Sequence, residues 1–324
     1  MADNDIGPET EFTFTDADGW EIFARRWLPV ESAPRAILQI VHGVADHSGR
    51  YQRFARFLTG AGYAVYANDH RGHGKTAKDR KRFGIAGEDG WNGMVRDLRQ
   101  LSDLARSEHP GVPLFLFAHS LGSLMAQQYL QQWGADLRGA VLSGTLGSLA
   151  KLDERLAMIL PQAEGENAER SSPVFTALQA GFNKPFEPGD TWLDWMSRDI
   201  NEVRSYAADP LCRVAVCNRL AADILIGGKN IWTSEQESKI PRELPLLVIA
   251  GENDPVGEMN ASVKALVNRY REHGMSHIAC KFYPDARHEL LNEFNHEEVQ
   301  HDILAWIVQT QMSEVQSPPG KRIS

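Results

Sequence analysis

The chain has 324 residues, 42% of them hydrophobic and 24% charged, with a formal net charge of −9. That is the composition of a globular protein with one large core and room for an inserted subdomain. The negative balance argues against nucleic acid as a partner and offers no broad basic surface for anionic membranes. Three cysteines, Cys212, Cys217 and Cys280, are too few for a disulfide framework and point to a reducing compartment.

The N-terminus, M-A-D-N-D-I-G-P-E-T, is acidic and lacks the apolar stretch of a signal peptide, and no segment approaches the ~20 apolar residues of a membrane span. A cytoplasmic location is expected. Residues 1–9 read as a loose tail. Residues 11–15 (E-F-T-F-T) and 20–27 alternate around a D-A-D-G turn, as an antiparallel hairpin at a sheet edge would. Residues 36–41 (A-I-L-Q-I-V) form a buried strand running into His42, Gly43 and Val44. Residues 51–61 carry helical periodicity, with Phe54, Phe57 and Leu58 on one face and Gly62 as the stop. A strand at 63–67, a polar loop at 68–76 and a helix at 91–108 follow.

Residues 113–123 read P-L-F-L-F-A-H-S-L-G-S. The apolar run 114–117 is short enough for a strand buried on both faces, and 124–133 reads as a helix. Strand, sharp turn with a serine at its apex, then helix is the layout of a nucleophile elbow. The turn needs small residues two before and two after Ser120; Ala118 and Gly122 fill those places. The helix N-terminus would point its N–H groups at an oxyanion forming beside the serine.

After a strand at 137–143 the alternation of strands and helices breaks. Residues 147–228 hold helical pieces but no strand placed to extend the sheet. An amphipathic segment carries Leu149, Leu152, Leu156, Ile159 and Leu160; Trp192, Trp195 and Met196 form a second apolar cluster, and 220–226 a third. Inserted right after a sheet strand, this segment reads as a cap whose inner face binds something apolar. Sheet architecture resumes with a strand at 244–250, a helix at 261–273, a strand at 279–283 and a helix at 296–311. The end from residue 313, with its S-P-P-G, reads as a flexible tail. The expected organisation is a core of residues 10–146 and 229–312, a helical cap at 147–228, and tails at 1–9 and 313–324. The alternation implies an α/β architecture with a mostly parallel sheet covered on both faces.

A serine hydroxyl needs a base, and the base an orienting acid; on this type of scaffold they follow the serine in the order carboxylate, then histidine. Asp254 sits just beyond the strand at 244–250, in G-E-N-D-P-V, framed by Gly251 and Pro255; Glu252 is its nearest competitor. His288 lies in a loop beyond the strand at 279–283, whereas His273, His277, His296 and His301 fall in or beside helices and strands. Oxyanion donors are expected from the backbone N–H of Leu121 and of Val44. His42, Gly43 and His119 are candidate substrate contacts, although His119 also reads as structural. Loop D-H-R-G-H-G at 69–74 has two histidines three apart without cysteines or a clear carboxylate partner, so it reads as a brace and no metal is expected. Cys280, on a strand, reads as a buried small hydrophobe.

Several blocks in order carry a resemblance: H-G-V-A-D-H-S-G-R-Y at 42–51, N-D-H-R-G-H-G at 68–74, A-H-S-L-G at 118–122, A-D-P-L at 208–211, G-E-N-D-P at 251–255 and A-R-H-E at 286–289. Over roughly residues 10–310 the chain resembles the monoacylglycerol lipase and lysophospholipase branch of the α/β-hydrolases. The resemblance implies an eight-stranded, mostly parallel sheet with a cap after the sixth strand, and no cofactor. It carries Ser120, Asp254 and His288 over as a catalytic triad, with Val44 and Leu121 as oxyanion donors. The expected activity is ester hydrolysis through an acyl-enzyme, on a monoacylglycerol or lysophospholipid. The leucine-rich cap face is open to transient docking on either a membrane or an oligomer partner. Small-ester hydrolysis, acyl transfer and ligand binding without hydrolysis stay open as alternatives.

Overall fold

The computed structural model describes residues 9–30, 33–212 and 214–315. Of the tails expected at the two ends, residues 1–8 and 316–324 lie outside the described residues; Glu9 already begins the first strand, and residues 313–315 continue the last helix.

One sheet of eight strands organises the chain: β1 (Glu9–Thr15), β2 (Glu21–Trp27), β3 (Ile37–Val41), β4 (Ala64–Asn68), β5 (Leu114–His119), β6 (Gly139–Ser143), β7 (Leu246–Gly251) and β8 (Ile278–Tyr283). Their spatial order is β1-β2-β4-β3-β5-β6-β7-β8. The β1–β2 hairpin is antiparallel and β2 pairs antiparallel with β4; every later pairing is parallel. In the hairpin turn Asp16 Oδ1 accepts the N–H groups of Asp18 and Trp20, both at 2.8 Å, and Gly19 takes φ 83°.

The helices are α1 (Gln52–Gly60), α2 (Gly90–Glu108), α3 (Leu121–Trp133), α4 (Leu152–Ile159), α5 (Pro173–Gly181), α6 (Ile200–Ala208), α7 (Asn218–Ile231), α8 (Ser234–Glu237), α9 (Ala261–Glu272) and α10 (His296–Val315). Central strands are buried end to end because both faces are covered: Leu114, Leu116 and Ala118 of β5 pack with α2 and α3, whereas Phe115 and Phe117 pack with α1 and α10. Helix α3 starts at Leu121, three residues earlier than its periodicity indicates, because Ser120 itself occupies the N-cap position.

Helices α4 to α8 fill the interval between β6 and β7, with one isolated bridge, Ser171 to Cys217, as the extended pairing in this interval among the described residues. All three apolar clusters read from the sequence are corrected here; in the third, Ile226 is exposed. Trp195 and Met196 are buried, but Trp192 is 72% exposed; Leu160 faces outward where a 3-10 turn ends the α4 periodicity. Cys280 is also corrected: it is exposed, because β8 is an edge strand.

Candidate active site

The C-terminal ends of β3, β5, β7 and β8 deliver every residue that the sequence singles out for chemistry. Ser120 follows β5 with φ 54° and ψ −123°, a region that L residues occupy only under strain. Gly122 makes the turn possible, since a Cβ there would lie 2.3 Å from the carbonyl oxygen of Val41 and 2.5 Å from that of His42. The strained apex puts the Ser120 hydroxyl clear of the sheet, 2.8 Å from Nε2 of His288. On the far side of the ring, Nδ1 of His288 lies 2.9 Å from Oδ2 of Asp254. Asp254 is fully buried; its Oδ1 accepts the Val256 N–H at 2.9 Å, which leaves Oδ2 for the imidazole. The competitor Glu252 is exposed and outside this chain of contacts.

Val44 and Leu121 bracket the serine, and their N–H groups have no acceptor among the described residues. The loop that carries Val44 is braced from behind. His70 donates its N–H to His42 Nε2 and its Nε2–H to the His42 carbonyl, each at 3.0 Å, so His42 must donate Nδ1–H to the Gly43 carbonyl at 2.8 Å. The two rings stack at 3.7 Å. Burial pushes His42 down to about 3 and His70 and His73 below the ordinary histidine value, so all three are neutral near pH 7. His42 therefore lies behind the loop, whereas Gly43 and His119 line the space around Ser120.

Sequence reasoning missed a buried ionic group beside these residues. Arg50 reaches Asp46 Oδ1 at 3.1 Å and Glu289 Oε2 at 2.7 Å, and its guanidinium stacks 4.8 Å from the Tyr206 ring. Burial raises both carboxyls, but the Arg50 charge, joined by the neighbouring histidines at Asp46 and by its own hydrogen bond at Glu289, brings each below its usual range. The four-residue spacing of Asp46 and Arg50 was the available signal. Glu289, more than 200 positions away, gave none.

His47, Asp209 and Cys212 are the one group among the described residues with metal-ligand spacing. Nδ1 of His47 accepts the Gly49 N–H at 3.2 Å, so the ring proton sits on Nε2 and is donated to Asp209 at 2.9 Å. That tautomer presents no free nitrogen lone pair, and burial pushes the Cys212 thiol up. The trio reads as a hydrogen-bonded clamp between the loop before α1 and the end of α6.

Ser120 stands between two unequal spaces. One, of about 650 Å³, is lined by apolar side chains including Leu124, Leu149, Phe175, Ile224, Leu225 and Trp232. The other, of about 310 Å³, carries Asp46, His119, Tyr206, His288 and Glu289. A hydroxyl in contact with an imidazole, with two unused N–H donors on its other side, can attack a carbonyl carbon and hold the oxyanion that results.

Comparison with known proteins gives the family of the chain. The family described as serine aminopeptidase, S33 matches residues 32–295. A monoacylglycerol lipase of Mycolicibacterium smegmatis is 30% identical over 304 residues, covering 92% of this chain and 97% of its own. Human monoglyceride lipase is 28% identical, over 94% of this chain and 92% of its own. Among solved structures, a highly thermostable carboxyl esterase from Bacillus coagulans, in complex with glycerol, superposes with TM-score 0.87 at 31% identity, covering 93% of this chain and 98% of its own.

Proposed function

From its membership of the serine aminopeptidase S33 family, a hydrolase family of the α/β-hydrolase superfamily, we propose that this chain is a serine hydrolase of lipid-like carboxylic esters, with monoacylglycerol or lysophospholipid as the favoured substrate. The observation that carries the reading is the apolar space opening on the Ser120 hydroxyl, which suits a medium or long acyl chain and has no charged side chain in its lining. An aminopeptidase site would need an acid free to take a substrate ammonium. The acids near Ser120 are already committed, Asp46 and Glu289 to Arg50 and Asp254 to His288.

In the proposed reaction Ser120 Oγ attacks the ester carbonyl carbon while its proton passes to Nε2 of His288. Asp254 holds the imidazolium that forms, and the N–H groups of Leu121, at the start of α3, and of Val44, in the loop after β3, hold the oxyanion. The C–O bond breaks, His288 returns the proton to the departing alcohol, and the smaller polar space accommodates that alcohol. Water then adds to the acyl-enzyme with His288 as base; the acid leaves and the proton returns to Ser120. No step calls for a metal or cofactor. Residues 147–228 act as the cap, since Leu149, Phe175 and Ile224 of the apolar lining come from it. No helix among the described residues is long and apolar enough to cross a membrane. Transient contact with a lipid surface is assigned to the cap, whose leucine side chains reach the apolar space.

Hydrolysis of p-nitrophenyl esters from acetyl to palmitoyl, beside 1-monoacylglycerol, lysophosphatidylcholine and alanine p-nitroanilide, tests the reading with Ser120→Ala as control. The expected result is a long-chain ester preference that vanishes in the variant. Activity on acetyl esters alone would overturn the lipid assignment, and anilide cleavage would replace it with a peptidase.

A further inference from the structure

Two in-plane hydrogen bonds, to Ser120 and Asp254, set the direction of the His288 ring but do little to stop it tilting or sliding out of its plane. Packing has to supply that restraint. Three neighbours do so. The Trp195 ring lies 5.1 Å from it with the planes at 39°, and His119 lies 4.7 Å away at 47°. The backbone of Gly144 comes so close that a Cβ there would be 2.9 Å from the His288 ring. Of these, Trp195 alone belongs to the inserted segment, residues 147–228.

Its placement is built from both sides. The Trp195 N–H donates to Asn183 Oδ1 at 3.1 Å, and the Trp195 carbonyl accepts the His288 N–H at 3.4 Å. The next carbonyl, of Met196, accepts the Glu289 N–H at 2.7 Å, while Arg287 donates to the carbonyls of Asp194 and Ser197. The loop carrying Trp195 and the loop carrying His288 are thus laced together by their backbones, and the Phe182 ring backs the indole at 5.3 Å.

We propose that Trp195 is a positioning residue for His288, contributed by the inserted segment, which holds the imidazole in line with the Ser120 hydroxyl and faces the positive charge that develops on it. The proposal rests on the reading of His288 as the base. An indole face within about 6 Å of a cation stabilises it, and the effect is larger where water is excluded, as it is at this buried ring. Burial pushes the other flanking ring, His119, down to about 4, so near neutral pH it adds no opposing charge. The apolar space and the polar space both include Trp195 in their walls, so a plain wall role is the rival explanation.

The full chain carrying Trp195→Leu or Trp195→Phe separates the two, using p-nitrophenyl acetate, which leaves the apolar space almost empty. The expected result for Trp195→Leu is a kcat about tenfold to a hundredfold lower, with KM moved by less than about twofold. Fluorophosphonate labelling of Ser120 slows in parallel, and Trp195→Phe recovers most of the rate because it keeps an aromatic face. A raised KM with kcat unchanged overturns the proposal, as do Leu and Phe variants that are equally slow. Should Trp195→Leu not fold, Trp195→Met is compared with Trp195→Phe by the same criteria. A wild-type protein inert to both fluorophosphonate and esters would instead overturn the hydrolase reading, and this inference with it; an active wild type matched by Trp195→Leu overturns this inference alone.

Discussion

Arg50 and Glu289 meet through two contacts, Nη1 to Oε1 at 3.0 Å and Nη2 to Oε2 at 2.7 Å. Because Arg50 also holds Asp46, one guanidinium ties the loop that carries Val44 to the residue beside His288. Replacing Arg50 by Met leaves two buried carboxylates without a counter-charge, and the expected loss is about 3–5 kcal/mol of stability. Urea unfolding measures it. Adding Asp46→Asn and Glu289→Gln restores part of the loss, since the uncompensated charge is what costs most; a loss below ~1 kcal/mol in Arg50→Met would refute the account.

The backbone of Ser120 supplies a second test. At φ 54° and ψ −123° a side chain is strained, whereas glycine is not. Ser120→Ala keeps the strain and removes the hydroxyl, so its melting temperature stays near that of the wild type while turnover is lost. Ser120→Gly is expected to be about 1 kcal/mol more stable than Ser120→Ala. Equal melting temperatures for the two would show that the strain is not stored there.

Gly251 ends β7 and is pressed against the backbone just before His288. A Cβ there would lie 2.2 Å from the carbonyl oxygens of Ala286 and of Arg287. Gly251→Ala therefore pushes the His288 loop outward, and kcat is expected to fall about a hundredfold. Gly60→Ala at the end of α1, where a Cβ meets nothing within 4 Å, serves as the control and leaves kcat unchanged. Comparable kcat values for the two variants would contradict the packing argument.

His42, His70 and His73 predict how the fold responds to acid. Burial holds each below its ordinary value, His42 at about 3. Below about pH 6.5 the unfolded chain takes up protons that the folded chain refuses, so stability present at higher pH is lost as pH falls. Each refused proton contributes about 1.4 kcal/mol per pH unit. Burial also raises the Asp97 carboxyl to about 7 and that of Asp223 to about 6, so these two take up protons over the same range and offset part of the loss. Urea midpoints at pH 7.5, 6.5 and 5.5 should still decline below pH 6.5, and a flat profile would count against three neutral buried histidines.

Leu225 lies in the wall of the apolar space. Leu225→Trp shortens the room for an acyl chain, and each methylene that no longer fits forfeits about 0.8 kcal/mol of binding. The kcat/KM profile across acyl lengths is expected to peak at a shorter chain than in the wild type, with acetyl ester turnover maintained. An unshifted peak would place the acyl chain elsewhere.

The buried strands were legible because a parallel sheet covered on both faces demands unbroken apolar runs, as in β5 and β7. Ser120, Asp254 and His288 were legible because the sheet sends its C-terminal strand ends to one rim, so residues just past strand ends meet there. Val44 could be named from its place after β3. Other features were not local properties of the chain and could not be read from it. That Trp195 turns inward while Trp192 stays exposed depends on how the 183–197 segment folds back onto the His288 loop, and nothing in their spacing separates them. Cys280 alternates like a buried strand residue, but β8 is an edge, and which strand ends up at the edge is settled by topology. Arg50 has Asp46 four residues away in its own segment, but its pairing with Glu289 joins residues 239 positions apart, and only assembly of the sheet brings them within reach. Periodicity and strand-end position are written into the sequence because they follow from local geometry. Side-chain partnership across the site is decided by the tertiary fold, because burial gives a charge or a ring its meaning only once the chain has chosen what surrounds it.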